Sequence, residues 1–118
     1  MLIAVTANNR ISYINPAGLR LLGAPNLRAL SGKPLPRFID ADSLQVAQAM
    51  IDEARQNGHS TPPFEVQCTR LDGQAIRLEA TAIPTRYLDQ PAVQIVARDI
   101  TALRRAEAHS RALLDAIP

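Results

Sequence analysis

FEVQCTRLDGQAIRLEATAI, residues 64–83, carries its apolar side chains at every second position. Phe64, Val66 and Cys68 alternate with Glu65, Gln67 and Thr69, and then Ile76, Leu78, Ala80 and Ala82 alternate with Arg77, Glu79 and Thr81. Successive side chains of a strand point to opposite faces, so a period of two predicts strands over 64–70 and 74–83, each with one wet and one dry face. Asp72-Gly73 between them is a strong hairpin signal, because a tight turn needs residues that accept positive φ. The dry face of this hairpin must be covered.

The cover lies immediately upstream. In SLQVAQAMIDEARQ (43–56), Leu44, Ala47, Ile51 and Ala54 recur at 3-4-3 spacing, with Val46 and Met50 widening the stripe, and this predicts an amphipathic helix. Asp40 or Asp42 is positioned to cap it, and Asn57-Gly58 ends it. Downstream, a turn through TRYLDQP leads to a last strand, AVQIVAR (92–98). Further upstream, KPLPRF (33–38) carries two prolines and is expected to be irregular. Before it, Asn26 caps a short helical turn that stops at Gly32, and Asn15-Pro16 opens a helix that stops at Gly23. LIAVT (2–6) and RISYI (10–14) form a hairpin around Ala7-Asn8-Asn9. The element order is therefore β-β-α-α-α-β-β-β, followed by a final helix. Hairpins at both ends favour an antiparallel sheet, and helices gathered in the middle must cover one of its faces. The expectation is an α+β domain with a five-stranded antiparallel sheet.

Composition narrows the function. The chain has 118 residues, 47% of them hydrophobic and 20% charged, which suits one globular domain. Only Phe38, Phe64, Tyr13 and Tyr87 are aromatic, so the core must be aliphatic. The net charge is +2, and the arginines are scattered singly, with only Arg104-Arg105 adjacent. The linear basic cluster of a nucleic-acid surface is missing, and no nucleic-acid partner is expected. Cys68 is the single cysteine, which excludes an internal disulfide and any cysteine-based zinc site. No apolar run approaches the roughly 18 residues of a membrane span, and the N-terminus lacks the pattern of a signal peptide. A cytoplasmic location without direct membrane contact is expected.

Four segments in register, ANNRISYINPAGLRLLG (7–23), LSGKPLPRFI (30–39), PFEVQCTRLDGQ (63–74) and ARDITALRRAE (97–107), resemble the Per-Arnt-Sim (PAS) sensor domains of bacterial multidomain signalling proteins. Asp99-Ile100-Thr101 followed by a charged helix is the most specific of these matches. The resemblance implies a PAS fold with a central pocket, dividing the chain into a sensor domain (1–99) and an exposed signalling or linker helix (100–118). It also implies an output partner such as a histidine kinase or a cyclic-dinucleotide enzyme. The signal relay is expected to run through Asp99, Ile100 and Thr101, with Asp99 as N-cap of a helix that begins near Ile100.

Departures from two subfamilies bear on the cofactor. The reactive-cysteine motif of flavin photoreceptors is absent, since Cys68 falls on a strand. The haem-binding subfamily carries its proximal histidine on the long helix, and residues 43–56 contain none. His59 reads as a solvated turn residue, and His109 lies on the exposed tail. No haem, flavin or metal is expected. Any guest of the pocket should be small and apolar or amphipathic, with Leu44, Ala47, Met50, Ile51, Ile76, Leu78 and Ala80 as candidate lining. The same residues can equally close on one another as plain core.

Beyond the joint, Leu103, Ala106, Ser110, Leu113 and Ile117 follow 3-4-3-4 spacing, a seam of about two heptads. A seam this short with Ala and Ser in it does not hold a dimer alone. A homodimer supported by neighbouring domains is expected. RALLDAIP (111–118) resembles the leading helix of a second domain of this family, so the chain reads as part of a longer protein. Catalysis is not expected: no Ser or Cys is matched with a His, no metal-ligand spacing occurs, and no glycine run could cradle phosphate. Glu65 and Glu79 sit on wet positions, where pairing with Arg70 or Arg77 is their expected role. Two readings stay open, a ligand-responsive sensor and a ligand-free scaffold for dimerisation and domain spacing.

Overall fold

The computed structural model describes residues 2–5 and 10–116. Strands β1 (Leu2–Val5) and β2 (Ile11–Ile14) are followed by α1 (Pro16–Leu22) and two 3₁₀ turns, Leu27–Ala29 and Leu35–Arg37. Then come α2 (Ala41–Asn57), β3 (Phe64–Thr69), β4 (Ala75–Tyr87), β5 (Gln90–Asp99) and α3 (Thr101–Asp115). The sheet has five strands in the order β2-β1-β5-β4-β3, all neighbours antiparallel. The expected α+β architecture is therefore present, and β5 closes it by pairing with both β4 and β1. The Ala7-Asn8-Asn9 turn lies outside the described residues.

Helix α1 and the first 3₁₀ turn start for a local reason. The Asn15 side chain accepts the Gly18 N–H at 2.9 Å, and the Asn26 side chain accepts the Ala29 N–H at 3.1 Å. These bonds satisfy N–H groups that the first turn of a helix leaves without partners. Gly23 ends α1 at φ +72°, and a Cβ there would stand 3.0 Å from the Arg70 guanidinium. That guanidinium reaches across from the end of β3 and donates to the Leu21 carbonyl at 2.7 Å, so the β3–β4 hairpin also caps α1.

The buried face of α2 is Ser43, Ala47, Ile51 and Ala54. It packs on β3 and β4, whose inward residues include Val66, Ile76, Leu78, Ala80 and Ala82. Val46, expected to widen the apolar stripe, is 41% exposed, and Leu44 is only half-buried. Ser43 takes the inner position because its Oγ accepts the Gln67 N–H of edge strand β3 at 2.8 Å. Asp40 holds the N-cap position of α2 without capping it: its carboxylate accepts from the Thr69 hydroxyl at 3.3 Å. KPLPRF is not wholly irregular, since one 3₁₀ turn forms within it.

Strand β4 runs four residues beyond its expected end at Ile83, and the connection to β5 shrinks to Leu88-Asp89, both at positive φ (51° and 61°). The extension carries the strand through Pro84. It is tolerated because the N–H and C=O of Ala82 turn toward Thr61, away from β5. Pro84, two residues on, presents its nitrogen to the same side, beyond the start of β3 at Phe64.

Candidate functional site

Between the sheet and its helical cover lies an apolar cavity of about 40 Å³. Phe64, Val66, Cys68, Leu78 and Ala80 of β3 and β4 wall it, together with Ile95 and Ala97 of β5. Ile11, Leu22, Phe38 and Ile39 close the other side. Of the expected lining, Leu78 and Ala80 are here, whereas Leu44, Ala47, Met50, Ile51 and Ile76 are not. Ala47 and Ile51 are 4% and 0% exposed because α2 lies directly on the sheet and fills the space between the layers. The void opens instead beneath α1 and the segment leading into α2. Two of the four aromatics, Phe38 and Phe64, face it.

Burial, and then the charge of Asp40, push the Cys68 thiol up to about 12. It is a neutral, unreactive part of the cavity wall. His59 is exposed just past the Gly58 stop, and His109 is exposed on α3. Among the described residues, no three His, Cys, Asp or Glu side chains gather closely enough to hold a metal. No helix of the described residues is long and apolar enough to cross a membrane.

The strand that walls the cavity runs directly into the joint. The β4–β5 ladder ends at Leu78 opposite Asp99, and Arg77 continues it onto the next two residues. The Arg77 carbonyl accepts the Ile100 N–H at 2.9 Å, and the Arg77 N–H donates to the Thr101 Oγ1 at 2.8 Å. Ile100 is 3% exposed. Asp99 is not the N-cap as expected: Ile100 occupies that position, one residue later, and has no side-chain acceptor. Asp99 acts from outside the helix, its Oδ1 accepting both the Thr101 N–H at 2.8 Å and the Thr101 hydroxyl. With its proton committed to Asp99, the Thr101 oxygen is turned to receive the Arg77 N–H.

One turn later a second tie appears that the alternation pattern did not reveal. Arg104 donates from Nε and Nη2 to the two carboxylate oxygens of Glu65 on β3, at 2.8 and 2.7 Å, and from Nη1 to Glu107 at 2.7 Å. This two-pronged bond holds the Glu65 carboxyl below its ordinary range and raises Arg104 further. Arg77 is a distant member of the group, 4.0 Å from Glu65, and Arg70 is occupied with Asp72 and α1. Glu79, directly opposite Glu65, is neutralised by Arg98 at 3.1 Å. Beyond Arg104, α3 has no buried residue; Leu103, Ala106, Ser110 and Leu113 are all exposed, and Ile117 lies outside the described residues.

A protein-family model described as PAS domain matches residues 1–102. The chain belongs to the PAS family. Over 103 residues this PAS domain is 30% identical to sporulation kinase A of Bacillus subtilis (strain 168), covering 87% of the chain and 17% of that kinase. The chain thus spans about a sixth of the length of that relative. Among solved structures, a PAS domain from Colwellia psychrerythraea superposes with TM-score 0.71 at 19% identity, covering 86% of each chain. The PAS domain of nitrogen regulation protein NR(II) from Vibrio parahaemolyticus superposes with TM-score 0.68 at 22% identity, covering 84% of this chain and 87% of that one. The chain is a PAS sensory domain resembling the one in that bacterial sporulation kinase.

Proposed function

We propose that this PAS domain is the sensing unit of a longer cytoplasmic signalling protein with a histidine-kinase or cyclic-dinucleotide output, working as a homodimer. In this reading, a small apolar or amphipathic guest, or a partner, changes the packing between sheet and helices. The change passes along β5 and through Asp99, Ile100 and Thr101 into α3. The observation that carries the reading is that Ala97 and Ile95 wall the cavity only two and four residues before Asp99, on one unbroken strand. A guest that pushes on those side chains pushes on the strand that aims the helix.

The test uses the protein together with its downstream output domain. Thr101→Val removes the acceptor for Arg77 and Asp99→Asn removes the charge that orients Thr101; both are expected to alter regulation while the output domain keeps its basal activity. Unchanged regulation in both variants overturns the relay.

One observation favours the ligand-free alternative. A void of about 40 Å³ with an apolar lining is far smaller than the space of about 150 Å³ that holds a benzene-sized guest. A guest must therefore open the cavity before it fills it. Native mass spectrometry separates the two readings: a reproducible extra mass supports sensing, and bare protein supports a scaffold that sets domain spacing.

A further inference from the structure

Residues 1–39 contain five cations (Arg10, Arg20, Arg28, Lys33 and Arg37) and no Asp or Glu. The rest of the chain holds eight cations against eleven acids, so the net +2 joins a +5 part to a −3 part. Arg55, Arg70, Arg77, Arg98 and Arg104 each lie within 4.0 Å of a carboxylate. Arg20, Arg28, Lys33 and Arg37 make no ion pair among the described residues.

The fold gathers part of this charge at one place. Lys33, Arg37 and Arg70 line an open groove of about 370 Å³ whose apolar surface comes from Ala29, Phe38 and Leu71. The frame is fixed. The Lys33 carbonyl accepts from Ile11 at 3.1 Å, and Arg70 is held between Asp72 and the Leu21 carbonyl. Two acids stand beside the groove: Asp72 is bonded to Arg70 and to the Gln74 N–H at 3.0 Å, and Asp40 to the Thr69 hydroxyl at 3.3 Å; among the described residues neither forms an ion pair with Lys33 or Arg37. Leu71, at the hairpin tip, is 46% exposed.

We propose that this groove docks an acidic segment of a partner protein, with carboxylates on Lys33 and Arg37 and an apolar side chain against Leu71 and Ala29. Uncompensated charge of one sign favours a partner of the other and speeds its encounter. The mixed lining selects a peptide over a nucleic acid, because no exposed aromatic ring stands in the groove to stack a base; Phe38 is 6% exposed.

The test measures fluorescence anisotropy of a fluorescein-labelled peptide in which Glu and Asp alternate with Leu, titrated with the whole chain. Saturable binding is expected, weakened by salt and weakened about ten-fold or more by Lys33→Glu with Arg37→Glu. Arg111→Glu, on the exposed face of α3, and a Gln/Asn version of the peptide act as controls: the first should bind as the parent does and the second should not bind. Lys33→Gln with Arg37→Gln, checked by circular dichroism, separates lost charge from lost folding. Absent binding, equal affinity in the doubly reversed variant, or equal loss in Arg111→Glu overturns the proposal. Tighter binding to a poly-dT oligonucleotide or to phosphatidylserine vesicles also overturns it, since it assigns the groove to another class of partner.

Discussion

Cys68 and Leu78 show what single side chains contribute to the cavity wall. The Cys68 thiol, pushed up to about 12 chiefly by burial, carries almost no thiolate near neutral pH, and thiolate is the form that reacts. Iodoacetamide should therefore label Cys68 only after denaturant unfolds the chain; rapid labelling of the native protein, followed by mass spectrometry, would contradict the buried position. Leu78 is 1% exposed and borders the existing void, so Leu78→Ala enlarges a space that cannot collapse fully. A loss of about 2–5 kcal/mol is expected in urea unfolding, with part of it recovered in the presence of benzene. The inward alternation of Val66, Cys68, Leu78 and Ala80 was legible in the sequence, but which inward residues border a void was not. Periodicity reports which face a residue is on, whereas a void depends on how closely the opposing layer approaches.

At the scale of elements, the turns and joints follow from local chemistry with one conspicuous exception. Leu88-Asp89 turns β4 into β5 with both residues at positive φ, where a two-residue hairpin favours Asn-Gly. Leu88→Asn with Asp89→Gly should raise stability by roughly 1 kcal/mol, seen as a higher urea midpoint at unchanged slope. The Asn caps, the Gly stops and the Asp-Gly hairpin were readable because each acts within a few residues. The bond between Glu65 and Arg104 spans 39 residues and could not be found that way. It also gives α3 a pH dependence of definite sign. The Glu65 carboxyl titrates below its ordinary value because Arg104 bonds its charged form. Its contribution is thus complete above the ordinary carboxylate range and is lost as pH falls through the lowered value. Protection factors of the amides in the first turn of α3, taken relative to intrinsic exchange at each pH, should fall over that acid window, and Glu65→Gln should weaken that fall.

The whole molecule measures 60 × 34 × 22 Å, the long axis reflecting a helix that leaves the body of the fold. Past Arg104 nothing of α3 is buried, so trypsin should cut first at Arg105 and Arg111, and the shortened chain should keep its sheet signal in circular dichroism. Early cuts within residues 64–99 would place the weak point in the sheet instead. Element order at this scale was legible because hairpins and helices are local. The meeting of β1 with β5, which joins the two ends of the domain, is a long-range choice that no window of sequence reports. The uneven charge is hidden for a related reason: the 39-residue span without acids holds its cations singly, with no adjacent basic pair. Sheet margins raise a different matter, how the molecule avoids its own kind at high concentration. Past Thr61 the flank of β4 faces solvent and could template a strand from another copy, yet the nitrogen it offers there belongs to Pro84 and has no hydrogen to give. One imino acid thus interrupts the run of donors that fibril growth along this margin requires.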